Sequence, residues 1–518
     1  MLFADLVEVS RLVAESSGRK RKIELLAGLL KKTPPGDLET VAAFLSGAVR
    51  QPRLGLGWAT LRAARDTTSA SEPMLAIAEV DATFTRIAEM SGAGSAAGRV
   101  TLLRELLGRA TAPEQDFIVR LLAGELRQGA LESVLTDAVA AAAGIPAARV
   151  RRAVMMAGAL PPVARAALVD GAASLDAFVV RLMQPVQPML ADSEDDVGAA
   201  LAETGSAAIE YKLDGARIQV HKDRDQVRVF SRALNDVTAA VPEVVEAARQ
   251  LPVDTVILDG EAIALRPDLT PHPFQQTMRR FGRRLDVEAL RATLPLTPFF
   301  FDCLFVGGAP LVDDPLAHRI RILDDLVPEP HRVPRMLAAG VEAAAGFTAR
   351  ALESGHEGVM VKALDAGYAA GRRGKAWLKV KTARSLDLVV LAAEWGSGRR
   401  RGFLSNLHLG ARDAERGGFV MLGKTFKGLT DEMLAWQTER FLTLEIGRDD
   451  YTVYLRPELV VEIAFNDIQV SPHYPGRLAL RFARVKRYRD DKRPEAADSF
   501  SAVQEIYRRL TGLEPPTC

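Results

Sequence analysis

The pattern of apolar and polar positions divides the chain into three parts, each with a different spacing of apolar residues. From Met1 to about Arg181, Leu, Ala and Val recur at intervals of three and four residues, as in FIVRLLAGELRQGALESVLTDAVAAAA, which predicts amphipathic helices. The string GIPAA, residues 144–148, should end one helix and begin the next. We find no repeat of fixed period, so a solenoid is not expected.

The pattern changes after QPVQPMLADSEDD, residues 184–196. This segment is rich in proline and acidic residues, which is typical of a domain boundary. Short runs suited to strands follow: AAIEY, ARIQVH, VRVF, TVILDGEAIAL and PFFFDCLFV. In ARIQVH, Ile218 and Val220 should face one side of a sheet and the polar residues between them the other. Helical stretches such as VPEVVEAARQL separate these runs, which predicts an α+β domain built on antiparallel sheets.

The last part, from about Lys381, carries strand-like runs separated by glycine-rich turns: LDLVVLAAEWG, NLHLGAR, GGFVMLGKTF and ELVVEIAF. One helical stretch, DEMLAWQTERFL, lies among them, and the pattern predicts a small β-barrel. A chain of 518 residues is long enough for about three domains. We therefore predict domains at residues 1–183, 184–382 and 383–518.

Composition narrows the class of protein only in part. The formal net charge is +1, so any nucleic-acid surface must come from local segregation of charge. Two cysteines, Cys303 and Cys518, cannot form a disulfide framework or a four-cysteine zinc site, which favours a reducing, cytoplasmic location. We find no apolar signal-peptide core in the first twenty residues, no run typical of a membrane span and no HExxH spacing among the histidines.

The first candidate for chemistry is EYKLDGAR, residues 210–217, which places Lys212 at the end of a predicted strand. A lysine amine in such a place can attack the α-phosphorus of a nucleotide if it is neutral. With an ordinary pKa near 10.4, only about one amine in a thousand is neutral near pH 7.4, which costs about 4 kcal/mol. Nearby cations should lower that cost. By average composition, K-x-D-G occurs by chance in about one chain in ten of this length, so other residues must decide.

A nucleotide site also needs cations for the triphosphate, carboxylates for a divalent metal and a flat apolar side chain for the base. Candidates follow in order along the chain: Glu261 in LDGEAIAL, Phe301 in FFFDCLFV, Glu357 in EGVMVK, Lys379 and Lys381 in WLKVK, and the basic run RFARVKRYRDDK from Arg481 to Lys492. Each alone has an ordinary interpretation, as a solvated strand end, a core residue or an exposed basic segment. All of them in this order favour a functional site.

These strings, together with SRALNDVT and PFQQTMRRFGRR, resemble the motifs of the covalent nucleotidyltransferases, and specifically of the ATP-dependent DNA ligases. RQPRLGLGW and LAGELRQG in the helical third are similar to that family's DNA-binding domain. One departure is Ala483, where the family often has proline. The resemblance implies an all-α N-terminal domain, an α+β antiparallel-sheet nucleotidyltransferase (ATP-grasp-like) domain and a C-terminal OB-fold β-barrel.

The resemblance also implies a role for each motif residue. Around the nucleoside, Lys212 would bond covalently to AMP, Glu210 would bind the adenine amino group, Phe301 would stack on adenine, Glu261 would bind ribose or metal, and Arg373 (or its neighbour Arg372) would contact the nucleotide. Around the phosphates, Arg217 and Arg232 would contact the nucleotide or the nick phosphate, Lys379 and Lys381 the α-phosphate, and Arg481, Arg484 and Lys492 the pyrophosphate, while Glu357 would bind the divalent metal. Arg53 and Arg127 would contact the DNA backbone.

The implied reaction is ATP-dependent sealing of nicks in duplex DNA, in replication, repair or recombination. Lysyl-AMP forms first, AMP passes to the 5′-phosphate, and the 3′-hydroxyl attacks. The implied cosubstrate is ATP with Mg²⁺ or Mn²⁺, and the implied partner is nicked DNA, encircled by a monomer without a membrane partner. No sliding-clamp contact is evident in the sequence. Because successive steps need different groups near one phosphate, we expect the barrel to reorient about Thr382–Ser385.

Several alternatives remain beside this interpretation. An RNA ligase or an mRNA-capping guanylyltransferase uses related chemistry, but the large helical domain disfavours both. An NAD-dependent ligase is disfavoured because the chain lacks the cysteines for that family's zinc module. A catalytically inactive DNA-binding or scaffold protein should have lost Lys212, Glu357 or Lys379, and all three are present.

Overall fold

The computed structural model describes residues 1–51, 54–65, 67–92, 94–126, 132–282, 286–338, 340–369, 373–381 and 384–516. The part before residue 178 is helical, as predicted. Its helices are α1 (Phe3–Glu15), α2 (Arg19–Lys32), α3 (Leu38–Leu45), α4 (Trp58–Arg65), α5 (Ile77–Glu89), α6 (Ser95–Arg109), α7 (Ala112–Ala123), α8 (Glu132–Ala143), α9 (Ala147–Ala157) and α10 (Leu160–Arg165), followed by short helical turns at Ala166–Asp170 and Ala172–Ala177.

The apolar stripes of these helices meet in one core. Aromatic rings join distant helices there: Phe3 lies edge-on to Phe44 at 6.3 Å and to Phe117 at 5.5 Å between ring centroids. As predicted for GIPAA, α8 ends and α9 begins around it. No helix in the described residues is long and apolar enough to cross a membrane.

The middle part contains two five-stranded sheets. Its strands are β1 (Leu190–Glu194), β2 (Ala207–Tyr211), β3 (Ala216–Asp223), β4 (Gln226–Ser231), β5 (Thr255–Ala264), β6 (Leu296–Val306), β7 (Ala309–Pro310), β8 (Arg335–Leu337), β9 (Gly358–Ala363) and β10 (Arg373–Lys381). Its helices are α11 (Val197–Thr204), α12 (Pro242–Arg249), α13 (Phe274–Phe281), α14 (Val287–Thr293), α15 (Leu316–Leu326) and α16 (Val341–Glu353).

The first of these sheets has the strand order β1-β10-β9-β2-β8, and the second has the order β4-β3-β5-β6-β7. Pairing within both is antiparallel, as predicted, except that β1 runs parallel to β10. Alternate residues of the first sheet, such as Ile209, Val361 and Leu378, pack with α11 and α16. Those of the second sheet, such as Val220 and Leu258, pack with α12. The opposite faces of both sheets border one pocket.

The connection between the helical and middle parts packs on the second face of β3. Val186 N donates to Gln219 Oε1 at 2.8 Å, and Gln219 Nε2 donates back to Val186 O at 3.0 Å. Met183 N donates to His221 Nδ1 at 3.1 Å. Gln219 and His221 are therefore buried like the apolar residues of ARIQVH, because they provide hydrogen bonds for the connecting segment, whereas Arg217 is only partly buried.

The last part is a domain of antiparallel strands around its own core. Its strands are β11 (Arg384–Trp395), β12 (Leu404–Arg412), β13 (Phe419–Thr425), β14 (Glu445–Arg448), β15 (Thr452–Leu455), β16 (Val460–Phe465), β17 (Asp467–Val470), β18 (Leu478–Arg481) and β19 (Arg484–Tyr488), with helices α17 (Asp431–Leu444) and α18 (Phe500–Thr511).

The long strand β11 organises this last domain. It pairs with β12 along one edge, whereas the other edge is shared by β16 near its start and β15 near its end. Register shifts in the β11–β12 ladder at Val390/Ala392 and Glu394/Trp395 accompany this change of partner. Bulges bend a strand and strengthen its twist, which lets the sheet curve around the core.

Side-chain contacts hold the last domain against the middle one. Arg266 Nη2 donates to Thr511 O at the end of α18 at 2.6 Å. Gln275 Nε2 donates to Gln469 Oε1 at 3.0 Å. These contacts place the β18–β19 turn at the mouth of the pocket between the two sheets.

Candidate active site

A cavity of about 1250 Å³ lies between the two sheets of the middle domain and extends to the last domain. Its walls contain ten of the residues that the sequence singles out. They are Glu210, Lys212, Arg217, Arg232, Glu261, Phe301, Glu357, Lys379, Lys381 and Arg481. Residues separated by as many as 271 positions in the chain therefore share one site.

Strand parity explains why one wall of the cavity is charged. Glu210 and Lys212 lie two residues apart at the end of β2, and Lys379 and Lys381 lie two apart on β10. Side chains two apart on a strand share a face. The pairing Lys381↔Gly358 then brings the end of β10 beside the segment that carries Glu357.

Lys212 is held by both its backbone and its side chain. Lys212 N donates to Gly358 O at 2.9 Å, and Glu357 N donates to Lys212 O at 3.1 Å. Lys212 Nζ lies 2.6 Å from Glu357 Oε2, and Lys381 Nζ lies 2.7 Å from Glu357 Oε1. One carboxylate thus bridges the candidate nucleophile and a neighbouring lysine.

Two glycines permit this close arrangement. A Cβ at Gly215 would lie 2.5 Å from Ala262 O and 2.9 Å from Glu261 Cγ. Gly358 has φ +136°, and a Cβ there would lie 2.2 Å from Val380 O. Side chains at either position would separate the strands that carry the charged groups, which gives a physical reason for glycine in K-x-D-G and in EGVMVK.

Burial and the surrounding charges shift the pKa of each of these groups. Burial alone would lower the pKa of Lys212, but Glu357, Glu261 and Asp214 outweigh it and raise that pKa. Burial also lowers the pKa of Lys381, and the positive charge of Lys212 lowers it further. The expectation that nearby cations lower the pKa of Lys212 is therefore wrong for this arrangement, because Glu357 pairs directly with Lys212 and two further carboxylates act in the same direction.

The pKa values of the carboxylates in this wall shift in opposite directions. Burial raises the pKa of Glu261 to about 7. Burial, followed by repulsion from Glu357, raises the pKa of Asp214 to about 6. Burial acts in the same direction on Glu357, but its ion pairs with Lys212 and Lys381 hold its pKa below the ordinary value.

The far end of the cavity is aromatic. Phe301 is half-buried, and its ring lies edge-on to Trp377, with 6.0 Å between centroids. Lys362 Nζ lies 4.3 Å from each of these two ring centroids and is also paired with Glu210. A flat ligand placed against Phe301 would meet a buried carboxylate and a buried cation at its edge.

Arg217 is more constrained than its motif suggests. Its Nε and Nη2 donate to the two oxygens of Asp259 at 3.0 and 2.6 Å, and its Nη1 donates to Met189 O at 2.7 Å. Tyr368 OH donates to Asp259 Oδ2 at 2.7 Å and accepts from Met189 N at 3.0 Å. The network ties β3, β5 and the interdomain connection together beneath the cavity. Arg232, by contrast, is exposed at the rim.

The last domain contributes Arg481 and Phe482 to the cavity. Arg481 Cζ lies 4.5 Å from the ring centroid of Phe274, and Arg481 Nη1 lies 3.6 Å from Asp467 Oδ2. Lys492 lies elsewhere in that domain, where it and Arg489 both pair with Asp387. The terminal basic motif is therefore divided, with Arg481 in the cavity and Lys492 outside it.

Four predicted residues lie wholly or partly outside the described part of the chain. Arg53 and Arg127, expected to contact DNA, lie outside the described residues, as does Arg372. The backbone of Arg373 begins β10, but its side chain also lies outside the described part.

The donors present fit a divalent metal that is held jointly with a ligand. Among the described residues, no group of three or more His, Cys, Asp or Glu side chains is close enough to hold a metal by itself. Glu357 and Glu261 nevertheless line the same wall, and burial works against charge on both. Mg²⁺ is usually bound by one or two carboxylates together with substrate phosphates, which agrees with this donor set.

Sequence reasoning missed several residues that shape the site: Asp214, Asp259, Arg335, Tyr368 and Trp377. Trp377 could have been found, since it has the same strand parity as Lys379 and Lys381. Arg335 offered no signal, because its strand β8 is only three residues long.

Comparison with known families gives three matches that together cover most of the chain. Residues 60–140 match the DNA ligase N terminus, residues 188–381 match the ATP dependent DNA ligase domain, and residues 400–492 match the ATP dependent DNA ligase C terminal region.

Curated relatives agree along the full length. A "Probable DNA ligase" of Anaeromyxobacter sp. (strain Fw109-5) is 60% identical over 100% of both chains. A "Probable DNA ligase" of Sorangium cellulosum (strain So ce56) is 55% identical over 98% of this chain and 95% of its own. Among solved structures, one titled "Pmar-Lig_PreS3" covers 93% of this chain and 99% of its own at a TM-score of 0.59 and 17% identity, which supports the fold.

Proposed function

Because the chain belongs to the ATP-dependent DNA ligase family, whose general activity is the sealing of nicks in DNA, we propose that Lys212 carries AMP during that reaction. The observation that supports this role most strongly is the position of Lys212 Nζ, 2.6 Å from Glu357 in the wall of a cavity that also contains Phe301 and Arg481. The roles proposed below for the other residues depend on which end of this cavity each residue lines.

In the first step, Lys212 Nζ attacks the α-phosphorus of ATP. The new N–P bond forms as the bond from that phosphorus to the bridging oxygen breaks, and pyrophosphate leaves with the electron pair. Adenine would lie against Phe301, with its amino group toward Glu210. This places the triphosphate between Lys212 and the last domain, where Arg481 would meet the departing pyrophosphate.

Deprotonation of Lys212 is the main obstacle, because Glu357 stabilises the ammonium form. Mg²⁺ or Mn²⁺ held by Glu357 and Glu261 would weaken that ion pair and neutralise phosphate charge. Lys381 shares Glu357 with Lys212, and Lys379 lies on the same face of β10, so both would bind the α-phosphate. The same lysines would stabilise charge at that phosphorus when the 5′-phosphate attacks it and Lys212 departs. In the last step they would face AMP as it leaves the 5′-phosphate, whose own phosphorus the 3′-hydroxyl attacks.

The other domains would act on DNA. We place the domain boundaries near residues 183 and 382 and propose that the last domain turns about 382–385 after lysyl-AMP forms, exchanging Arg481 for the nick. The helical domain would contact the phosphate backbone through Arg53 and Arg127, and the three domains would encircle the duplex as a monomer. Nick binding should then weaken steeply with added salt, and a flat dependence would contradict this part.

The test of the Lys212 role is covalent labelling. Incubation with α-labelled ATP and Mg²⁺ should label the wild-type chain, and Lys212→Arg should remove the label. Lys375→Arg is the matched control, since Lys375 lies on β10 but is exposed and paired with Glu203. Label that persists in Lys212→Arg would exclude Lys212 as the nucleophile. Sealing of a nicked duplex with ATP, and not with NAD, completes the assignment.

A further inference from the structure

Glu210 occupies an unusual position, because it lies on β2 between two strands that each supply a cation. Arg335 on β8 lies directly opposite Glu210 in the β2–β8 ladder, and its Nε donates to Glu210 Oε1 at 3.0 Å. Lys362 on β9 lies diagonally across the β2–β9 ladder and pairs with Glu210 Oε2. Each carboxylate oxygen of Glu210 is thus bound by a different cation, and its side chain is 2% exposed.

Arg335 is itself fixed at a second point. Its Nη1 donates to both oxygens of Asp324 on α15, at 3.2 and 3.1 Å. The guanidinium therefore connects α15 to the carboxylate of Glu210. Arg335 is not among the residues that line the cavity, whereas Glu210 and Lys362 are. It reaches the cavity only through Glu210.

We propose that Arg335 is a positioning residue that sets the selectivity of the site for a base with an exocyclic amino group. This inference rests on the proposed function, in which Glu210 accepts a hydrogen bond from the adenine amino group. A carboxylate has about four lone-pair sites, so one bond from Arg335 and one from Lys362 leave acceptors for the cavity.

The geometry explains how a residue outside the cavity can affect selectivity. With both oxygens held, the carboxylate plane of Glu210 cannot rotate freely, and its remaining lone pairs keep one direction. An amino group in that direction gains a charge-assisted hydrogen bond. A base with a keto oxygen there would meet the same lone pairs and be repelled, and a base with hydrogen there would leave a buried acceptor unpaired.

The experiment compares two triphosphates in covalent self-labelling: ATP and purine riboside triphosphate, which lacks the 6-amino group. The measured quantity is the ratio of their second-order rate constants. Both constants scale with the folded fraction, so the ratio is unaffected if a variant folds only in part. The variants are Arg335→Leu, Arg335→Lys and the control Arg332→Leu, since Arg332 lies 3.9 Å from Asp324 without a contact to Glu210.

We expect the preference of the wild type for ATP to fall about tenfold in Arg335→Leu, because a charged hydrogen bond loses its fixed direction. Arg335→Lys should restore part of the preference, since it returns the charge without the planar fork. Arg332→Leu should keep the wild-type ratio. In a Glu210→Gln background, Arg335→Leu should change the ratio little further.

Two results would overturn the inference in different ways. If Arg335→Leu slows labelling with both triphosphates equally, Arg335 supports the fold and does not set selectivity. If the wild type shows no preference for ATP over purine riboside triphosphate, Glu210 does not read the amino group, and the inference fails together with that part of the proposed function. Labelling at Lys212 would remain in either case.

Discussion

The two ends of the cavity are built in opposite ways. At the base end, Glu210 is bound by Arg335 and Lys362, and all three side chains are nearly inaccessible to solvent and belong to the middle domain. At the phosphate end, Lys212 and Lys381 share Glu357, their side chains are 21% and 28% exposed, and Arg481 arrives from another domain. The base end is arranged for one ligand geometry, whereas the phosphate end can exchange partners.

This difference fits the proposed reaction, in which pyrophosphate, the 5′-phosphate and the 3′-hydroxyl would succeed one another at the phosphate end while the base stays in place. A fixed base end would then cost nothing in later steps. At the phosphate end, Lys212 and Lys381 share the single carboxylate of Glu357, so one group of ion pairs has to open when a phosphate is exchanged.

The largest effect should be on stability, at the base end. Arg335→Leu leaves Glu210 with one cation and Asp324 with a weaker partner, so the free energy of unfolding should fall by about 3–5 kcal/mol. Arg481→Ala, at the other end, should cost less than about 1 kcal/mol. Urea titrations of both variants measure this. Equal losses would mean that the two ends do not differ in rigidity.

The next effect should be on catalysis, at the phosphate end. Glu357→Gln removes the carboxylate that holds Lys212 and Lys381 and that would hold the divalent metal. Although the change also eases deprotonation of Lys212, we expect self-adenylation to slow by at least about a hundredfold. The thermal midpoint should change little. Glu353→Gln, an exposed residue at the end of α16, is the control. A Glu357→Gln enzyme with wild-type single-turnover kinetics would exclude the bridging carboxylate from the reaction.

A smaller and more selective effect should follow from Arg481→Ala. Self-adenylation should slow about tenfold or more, because a cation facing the triphosphate is lost. Sealing of a nick that already carries AMP should keep its wild-type rate, since that step does not release pyrophosphate. Arg477→Ala, an exposed neighbour in the turn before β18, is the matched control. Equal slowing of both steps would contradict the proposed exchange of partners at this end.

The smallest effect should come from Phe301→Leu. Replacing the ring removes a stacking surface worth about 0.5–1.5 kcal/mol while keeping an apolar side chain. The KM for ATP in self-adenylation should rise by a few-fold to about tenfold, with kcat nearly unchanged. A fall in kcat at constant KM would show that Phe301 acts on the reacting phosphate and not on the base.

Much of this architecture follows from local patterns. The β-rich runs predicted β2, β3, β5 and β6, and the order of the motifs predicted most of the charged residues that line the cavity. The glycine-rich string SGAGSAAG has the composition of a loop, yet part of it is helical, because α6 begins at Ser95 directly after Gly94 with φ +81°, and the alanines that follow favour helix.

What the sequence could not predict depends on pairing across long separations. Glu357 lies 2.6 Å from Lys212 only because the chain segments after β2 and before β9 exchange hydrogen bonds, and this proximity reverses the expected direction of the pKa of Lys212. Arg335 meets Glu210 through a three-residue strand that no periodicity marks. Lys492 follows Arg481 in one motif, yet it lies on another side of the domain, where it forms an ion pair with Asp387.

The most direct test of the central claim is to locate the covalent adduct. The wild-type chain is incubated with ATP and Mg²⁺, digested under conditions that preserve phosphoramidates, and analysed by peptide mass spectrometry. The account predicts AMP on the peptide that contains Lys212, and none on peptides that contain Lys362, Lys379 or Lys381. AMP on one of those three lysines, with Lys212 unmodified, would contradict it.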